Sequence, residues 1–182
     1  MSKTRLFLVR HAVAAPHPEI AEPDWPLTEA GQAQAHDLAM SLGEEAIAAI
    51  WSSPYQRSVD TVAPLSKRLS CDTQTHEGLR ERCWSDVWLE DFLPHLKRSF
   101  NEPDFKLPGG ESAREALYRF EAAMIEIAVA ADGAPTAVGT HGNVLSLFLR
   151  SLDPRVDFEF WKNLPHASVF RVDWDGYFLW RD

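Results

Sequence analysis

The sequence predicts an α/β fold: a three-layer α/β/α sandwich with a mainly parallel central sheet and a C-terminal antiparallel hairpin. Two observations carry this prediction. Short apolar runs alternate with helix-like segments, which is the pattern of βαβ units, and the last β-rich runs are joined by Asp175-Gly176, a strong hairpin signal. A chain of 182 residues buries roughly 70% of its unfolded surface, so we expect a single domain over 1–182.

The first elements are a buried strand and an amphipathic helix. Leu6–Val9 is wholly apolar, as expected for a strand covered on both faces. Thr28 is placed to cap the following helix and Gly43 to end it. The apolar side chains expected on one side of that helix are Ala30, Ala33, Leu38 and Leu42.

A second strand and two further helices follow. Ile47–Trp51 fits a buried strand, and Ser53-Pro54 has the residue types of a helix N-cap and first turn. The capping box Ser112-x-x-Glu115 predicts the start of the longest helix, whose apolar residues recur at helical spacing as far as Ala131.

The C-terminal part supplies a third strand, a short helix and the hairpin. Thr136–Thr140 is the strand, and the helix continues through Leu149. The hairpin strands are Ser168–Trp174 and Tyr177–Trp180. A parallel sheet binds ligands at the carboxyl ends of its strands, so this edge is where a functional site is expected.

Three segments with chemically useful side chains follow the three buried strands. They are Arg10-His11, Ser53–Arg57 and His141-Gly142. Arg57 falls in the first turn of a helix, where a cation costs a few tenths of a kcal/mol unless an anion compensates. Together these residues indicate a local anion site.

The motifs resemble those of the histidine phosphatase superfamily, the phosphoglycerate mutase-like phosphatases. They occur in the family's order and cover nearly the whole chain. The matching segments are Leu8–Ala12 (R-H-G-like), Pro26–Ala35 (L-T-x-x-G-x-x-Q-A), Ser52–Thr61 (S-S-P-x-x-R-x-x-x-T), Leu79–Glu81 (L-x-E), Gly110–Ser112 (G-E-S) and Thr140–Gly142 (final H-G).

The resemblance implies a role for each residue of the anion site. His11 is the nucleophile, since a neutral imidazole attacks well at pH 7 and a phosphohistidine divides one displacement into two. Arg10, Arg57 and a protonated His141 surround the phosphate oxygens, and the N–H of Gly142 adds a donor. Arginine suits this task because of its forked donors.

Glu81 is implied as the proton carrier by its place in the L-x-E segment. It protonates the leaving oxygen and then deprotonates the water that attacks phosphohistidine. Its neighbours Arg80 and Arg82 are expected to face away from it. The alternative for Glu81 is a surface glutamate in a charged loop.

Three positions depart from the family pattern. Ala12 replaces the glycine that usually follows the nucleophile, and Cys83 lies where a glycine is usual after the L-x-E segment. His17 occupies a position that is often asparagine, and we retain it as a pocket candidate.

Residues 84–108 form the segment expected to cap the site. The segment is rich in aromatic residues, which are more often core than ligand-binding. Lys97 and Arg98 are substrate-binding candidates, because they resemble the basic pair with which mutases hold a substrate carboxylate. Alternatively, this pair is solvated.

The sequence therefore predicts a phosphatase that hydrolyses a small phosphorylated metabolite through phosphohistidine, with no metal or other cofactor. Two alternatives stay open. One is a mutase that returns the phosphoryl group to a second hydroxyl. The other is a phosphoprotein phosphatase or a phospho-binding regulatory module.

Composition limits the partners. The 27 acidic residues outnumber the 18 basic ones, giving a formal charge of -9, which argues against nucleic acid and anionic membranes as partners. No run approaches the roughly 20 apolar residues that span a bilayer. With only Cys71 and Cys83 and no adequate signal core, a cytoplasmic location is expected.

Overall fold

The computed structural model describes residues 3–181, which form one six-stranded mixed sheet covered by helices. The predicted α/β sandwich is confirmed. The strands are β1 (Thr4–Arg10), β2 (Ala49–Ser52), β3 (Thr73–Thr75), β4 (Thr136–Thr140), β5 (Val169–Trp174) and β6 (Phe178–Arg181). Their order across the sheet is β3-β2-β4-β1-β5-β6.

The four strands on one side of the sheet are parallel, and the last two are antiparallel. In β1, Leu6 is level with Thr136 of β4 in parallel register and with Val172 of β5 in antiparallel register. The β5–β6 hairpin closes as predicted, although its turn contains Asp175, Gly176 and Tyr177 rather than two residues. Gly176 has φ +107°, which a residue with a side chain rarely adopts.

Helices cover both faces of the sheet. The α-helices are α1 (Glu29–Leu42), α2 (Gln56–Leu69), α3 (Leu93–Asn101), α4 (Ala113–Ala131), α5 (Gly142–Leu152) and α6 (Phe158–Asn163); short 3-10 turns lie at Glu22–Asp24 and Glu77–Leu79. Successive side chains of β1 point to opposite faces of the sheet, so they belong to two separate apolar clusters. Leu6 and Leu8 belong to the apolar cluster with α4 and α5, whereas Phe7 and Val9 belong to the cluster with α1 and α2.

Two of the three predicted helix starts are confirmed. Thr28 accepts a hydrogen bond from the N–H of Gly31 at the start of α1, and Ser112 forms a complete capping box with Glu115. The predicted N-cap at Ser53 is wrong, because α2 begins two residues later with Tyr55 as N-cap. The Ser53 hydroxyl instead lies 2.7 Å from Nε2 of His141, so the site determines its orientation.

Several short elements were not predicted. The edge strand β3 has only three residues and no apolar alternation, and α6 has six. In α1 the side predicted to be apolar is partly wrong: Ala30 and Ala33 are exposed, while Ala35 and Ala39 are buried with Leu38 and Leu42. Within residues 3–181, no helix has the length and apolar character that crossing a membrane requires.

Candidate active site

The carboxyl ends of β1, β2 and β4 meet around one cavity, as the sheet topology requires. His11 follows β1 and His141 follows β4, and the centroids of their imidazole rings are 5.2 Å apart. A cavity of about 680 Å³ at this edge is lined by His11, by Arg57 in the first turn of α2, and by Arg10, Glu81 and Gly142. His141 is fully buried and is not among the residues that line the cavity. The residues predicted from the strand ends are therefore brought together.

His11 is held in one orientation with one ring nitrogen free for chemistry. Its Nδ1 lies 2.7 Å from the carbonyl oxygen of Ala12, which can only accept, so Nδ1 carries the proton. The Nε2 lone pair is therefore available. Burial, and then the positive charge of Arg57, lowers the pKa of His11 to about 3, so the ring is neutral at pH 7.

The loop after His11 is fixed by side chains from two helices. Thr61 of α2 accepts a hydrogen bond from the N–H of Ala12 at 2.9 Å, and Gln34 of α1 accepts from the N–H of Val13 at 3.0 Å. At Gly31, an added Cβ would lie 2.0 Å from the Val13 carbonyl oxygen. The close approach of α1 to this loop therefore requires glycine at that position.

His141 is fully buried, and its two nitrogens have different surroundings. Nε2 lies 2.7 Å from Oγ of Ser53, whereas Nδ1 has no hydrogen-bond partner among the described residues. Burial, reinforced by the charge of Arg57, holds the pKa of His141 well below its ordinary value. The protonated His141 expected from the sequence therefore requires the negative charge of a bound phosphate.

The Arg10 guanidinium lies close to the backbone of Gly142. One guanidinium N–H donates to the carbonyl of Leu164, while Nε is buried and has no partner in the part of the chain that the structure describes. A Cβ on Gly142 would lie 3.0 to 3.2 Å from the Arg10 guanidinium. A side chain at position 142 would therefore require the Arg10 guanidinium to shift by a few tenths of an ångström.

Arg57 is buried and is oriented by a loop that the sequence did not implicate. Its guanidinium donates to the carbonyl oxygen of Glu22 at 2.8 Å and to the Glu22 carboxylate at 2.9 Å. The rings of Trp25 and Tyr55 lie 5.2 and 5.0 Å from the same guanidinium carbon. Burial raises the pKa of Glu22, and the charge of Arg57 opposes that shift.

Glu81 lies at the N-terminus of α5, where three backbone groups bind its carboxylate. Oε1 accepts from the N–H groups of Arg82 and Val144, at 2.8 and 2.9 Å, and Oε2 accepts from the N–H of Asn143 at 2.9 Å. A helix N-terminus favours a carboxylate in this position. The Glu81 side chain is therefore held at the cavity wall rather than in a solvated loop.

The two arginines beside Glu81 direct their guanidinium groups elsewhere. Arg80 forms a two-pronged ion pair with Glu111, at 2.8 and 3.0 Å, and Arg82 donates to the carbonyl oxygens of Glu111 and Phe105. Burial would raise the pKa of Glu111, but hydrogen bonds from Arg119 and the Cys83 N–H hold it below its ordinary value.

The segment 84–108 has both of its ends attached to this network. The N–H of Glu111 donates to the Cys83 carbonyl at 2.8 Å, which brings the two ends together. Arg82 crosses between them, with its guanidinium carbon 3.9 Å from the Trp84 ring centroid and a hydrogen bond to Phe105. The residues from Trp84 to Glu90 line the cavity.

Some site residues were missed by sequence reasoning. Asn143 lines the cavity, is almost fully buried, and has no hydrogen-bond partner for either side-chain polar atom among the described residues. His166 also lines the cavity, and its ring centroid is 5.4 Å from that of His11. Asn143 directly follows the H-G motif, a signal that could have found it. His166 follows no strand and had no comparable signal.

Three predicted substrate-binding residues are not among the residues that line the cavity. His17 is exposed, and its Nδ1 accepts from the N–H of Glu19. Arg98 is exposed and forms an ion pair with Glu102 at 2.7 Å, and the Lys97 ammonium lies 5.7 Å from the Phe158 ring centroid.

Within residues 3–181, no cluster of three or more His, Cys, Asp and Glu side chains is arranged to hold a metal ion.

A family comparison assigns the chain to a superfamily. The model for the histidine phosphatase superfamily (branch 1) matches residues 6–179, almost the full chain. The chain belongs to the histidine phosphatase superfamily. The match confirms the resemblance drawn from the motifs.

Curated relatives of this superfamily member include mycobacterial proteins. Bifunctional protein Rv2228c of Mycobacterium tuberculosis and Uncharacterized protein Mb2253c of Mycobacterium bovis are each 29% identical over 162 residues. The alignment covers 81% of this chain but only 43% of each relative, so the histidine phosphatase chain spans less than half of their length.

Solved structures share the histidine phosphatase fold along nearly the whole chain. A phosphoglycerate mutase from Bacillus anthracis has a TM-score of 0.81 at 17% identity, covering 100% of this chain and 92% of its own. YhfR of Bacillus stearothermophilus has 0.78 at 23%, covering 97% and 95%. A mycobacterial glucosyl-3-phosphoglycerate phosphatase, Rv2419c, has 0.75 at 21%, covering 94% and 90%. These similarities confirm the fold.

Proposed function

We propose that this protein is a phosphatase that hydrolyses phosphomonoesters of small metabolites through a phosphohistidine on His11. The observation that carries the proposal is the state of the His11 ring. It is neutral, its Nδ1–H is bonded to the Ala12 carbonyl, and its free Nε2 belongs to a side chain that lines a cavity with two arginines. A nucleophile needs this combination of a free lone pair and fixed orientation.

In the first step, Nε2 of His11 attacks phosphorus, and the P–O bond to the leaving group breaks with its electron pair on oxygen. Arg10 and Arg57 supply donors to the three equatorial phosphate oxygens, where negative charge is spread in the transition state. Arg57 is buried and Arg10 is partly buried, which strengthens their interaction with the charge. The Gly142 N–H adds a further donor.

His141 can contribute to phosphate binding without a second proton. If its single proton is on Nδ1, that nitrogen donates to a phosphate oxygen while Nε2 accepts from the Ser53 hydroxyl. Burial lowers the pKa of His141, so this neutral form is the ground state of the free site. Ser53 therefore acts as a positioning residue for the proposed donor.

In the second step, water attacks the phosphohistidine and the Nε2–P bond breaks, releasing inorganic phosphate and restoring His11. Glu81 accepts the proton of that water, having earlier given one to the leaving oxygen. The three N–H groups around its carboxylate support the base role more directly than the acid role.

The mechanism needs no metal, because the arginines supply the positive charge at the phosphoryl group. Full turnover in excess chelator is expected. A loss of turnover that added divalent ion restores would contradict the proposal.

The decisive experiment replaces the nucleophile. His11→Ala is expected to abolish both phosphate release and acid-labile labelling by a ³²P-substrate, because no other group carries the phosphoryl intermediate. His36→Ala, which removes an exposed histidine of α1, is the matched control and should change neither. Labelling that survives in His11→Ala would remove His11 from the mechanism.

Product analysis separates the proposal from its alternatives. A phosphatase releases inorganic phosphate, whereas a mutase yields the isomeric phosphate ester. A screen of phosphorylated sugars, glycerates, nucleotides and phosphopeptides should find turnover among small metabolites. Turnover of phosphopeptides alone would instead favour a phosphoprotein phosphatase.

A further inference from the structure

The cavity is much larger than a phosphoryl group requires. Its volume of about 680 Å³ lies within the range of pockets that enclose whole small-molecule ligands, roughly 300 to 1,000 Å³. Arg10, His11 and Gly142 occupy one end of it, at the strand ends. The remaining wall therefore faces whatever group is attached to the phosphate.

The remaining wall includes the aromatic residues Trp25, Trp84, Trp88, Phe92 and Trp161. Trp25 and Trp88 form an edge-to-face pair with ring centroids 6.1 Å apart. Phe92 contacts both Trp84, at 6.4 Å, and Trp161 of α6, at 6.1 Å. The rings come from the loop before α1, from the segment 84–108 and from α6, so three separate parts of the chain converge on the same space.

Several of these side chains leave apolar area uncovered. Trp88 is 46% exposed and Phe92 is 37% exposed, although both line a concave surface. Their neighbour Val87 is 65% exposed. Apolar surface exposed in a cavity is stabilised when an apolar ligand covers it.

The two ends of the cavity differ in the charged residues that line them. Among the described residues that line the cavity, the arginines are Arg10 and Arg57, both at the phosphate end. The carboxylates of Glu22 and Glu81 also line the phosphate end. Among the described residues of the outer wall, Asp86 and Glu90 are acidic and none is a lysine or an arginine. A second negative charge on the ligand would therefore meet carboxylates rather than a cation.

The aromatic wall begins next to the phosphate end. The Trp25 ring is 5.2 Å from the guanidinium carbon of Arg57, which is a donor in the proposed mechanism. A ring attached to phosphate through a short linker can therefore reach Trp25 and Trp88 while the phosphate stays between the arginines.

We propose that the outer cavity is a leaving-group site for an aromatic or heteroaromatic moiety that carries no second negative charge. This inference rests on the proposed phosphatase function, since it names the substrate class of that site. The aromatic rings supply stacking surfaces, and the two carboxylates select against doubly anionic esters such as phosphorylated carboxylic acids.

Binding of stable phosphonates tests the inference without turnover. Calorimetry would compare propylphosphonate, 3-phenylpropylphosphonate and 3-carboxypropylphosphonate at pH 7.5. The phenyl compound is expected to bind at least about tenfold more tightly than the propyl compound, and the carboxylate compound more weakly than both. Equal affinities, no binding of the phenyl compound, or tightest binding of the carboxylate would overturn the inference.

Variants test whether the aromatic residues and carboxylates of the outer cavity cause the difference in affinity between the three phosphonates. Trp88→Ala and Phe92→Ala should each remove most of the advantage of the phenyl compound, and Asp86→Asn with Glu90→Gln should raise the affinity for the carboxylate compound. Tyr118→Ala, which removes an aromatic ring 69% exposed on α4 and outside the cavity lining, is the control and should leave all three affinities unchanged. A phenyl preference that persists in both aromatic variants would contradict the assignment.

The two proposals can fail separately. Phosphate release with acid-labile labelling, but without a phenyl preference, would retain the phosphatase and reject the aromatic site. A phenyl preference without any phosphate release would retain the binding site and reject the catalytic proposal.

Discussion

His11 and His141 are both buried beside arginines, yet their ring nitrogens have different partners. The carbonyl of Ala12 fixes the proton of His11 on Nδ1, whereas the Ser53 hydroxyl can either donate to or accept from Nε2 of His141. A carbonyl imposes one tautomer and a hydroxyl permits both. His11, the proposed nucleophile, therefore has a fixed tautomer, whereas His141, the proposed phosphate donor, can carry its proton on either nitrogen.

Glu81 provides the sharpest prediction at the scale of one residue. Glu81→Gln should slow turnover by roughly 10² to 10⁴, because an amide cannot transfer the proton. The glutamine amide N–H₂ would face the N–H donor of Asn143 or of Val144, and two donors repel each other. The site of the variant must therefore be checked for a displaced side chain.

Inorganic phosphate binding supplies that check. Affinity for phosphate should stay within a few-fold in Glu81→Gln, and Glu81→Asp should recover part of the rate. Turnover equal to that of the unchanged protein would exclude Glu81 as the proton carrier.

At the scale of elements, α2 contacts both the cavity, through Arg57, and the loop after His11, through Thr61. Arg57 and Thr61 are four residues apart and lie on the same buried face of that helix. Arg57 reaches the cavity, while the Thr61 hydroxyl donates to the Arg57 carbonyl at 2.6 Å and accepts from the Ala12 N–H. One helix therefore sets the distance between the donor and the nucleophile.

Thr61→Val tests this coupling. The isosteric change leaves the buried N–H of Ala12 without its acceptor, which should cost about 1 to 3 kcal/mol of unfolding free energy. It should also lower kcat/KM, since the His11 loop loses an anchor. Urea denaturation and steady-state kinetics measure the two effects, with Thr75→Val on the exposed edge strand as the matched control. Equal stability of the two variants would show that the Ala12 contact is unimportant.

Sequence patterns predicted the elements that have a strong local signal. The apolar run of β1, the Ser112 capping box and the Asp175-Gly176 turn each encode their own structure. The three-residue β3 and the six-residue α6 depend on neighbours that already form the sheet. Ser53 was misassigned because its hydroxyl bonds to His141, a residue 88 positions away.

The site residues likewise fall into those with a sequence or topological signal and those that depend on tertiary contacts. Residues at strand ends were found because topology alone brings them to one edge. His166 precedes β5 rather than following a parallel strand, and Glu22 reaches Arg57 from a loop, so neither has a periodic or topological signature. Lys97 and Arg98 matched a motif in sequence, but α3 is oriented so that neither lines the cavity.

At the scale of the whole molecule, a neutral buried histidine links catalysis to stability. The pKa of His11 is about 3 in the fold against an ordinary 6.5, so the unfolded chain binds more protons between these values. Stability is therefore fully present above about pH 6.5 and falls as pH decreases toward 3. Burial lowers the pKa of His141 and of His166 as well, which adds effects of the same sign.

His11→Asn isolates one of these contributions. Between pH 7 and pH 5, the unchanged protein should lose about 2 kcal/mol more unfolding free energy than the variant, because one fewer histidine takes up a proton on unfolding. Urea denaturation at several pH values across this interval gives the difference. Parallel pH profiles for the two proteins would show that His11 is not held neutral.

The segment 84–108 leaves the fold at Cys83 and returns at Glu111, where a hydrogen bond joins the two ends. Further contacts tie the segment to the helices around it: Asp104 forms an ion pair with Arg114 of α4, and Phe100 packs edge-to-face on Phe158 of α6. The strands and the residues Arg10 and His11 lie outside the segment. If the aromatic wall binds the leaving group as proposed, exchange of residues in this segment would change the accepted substrates while the chemistry at the sheet edge is retained.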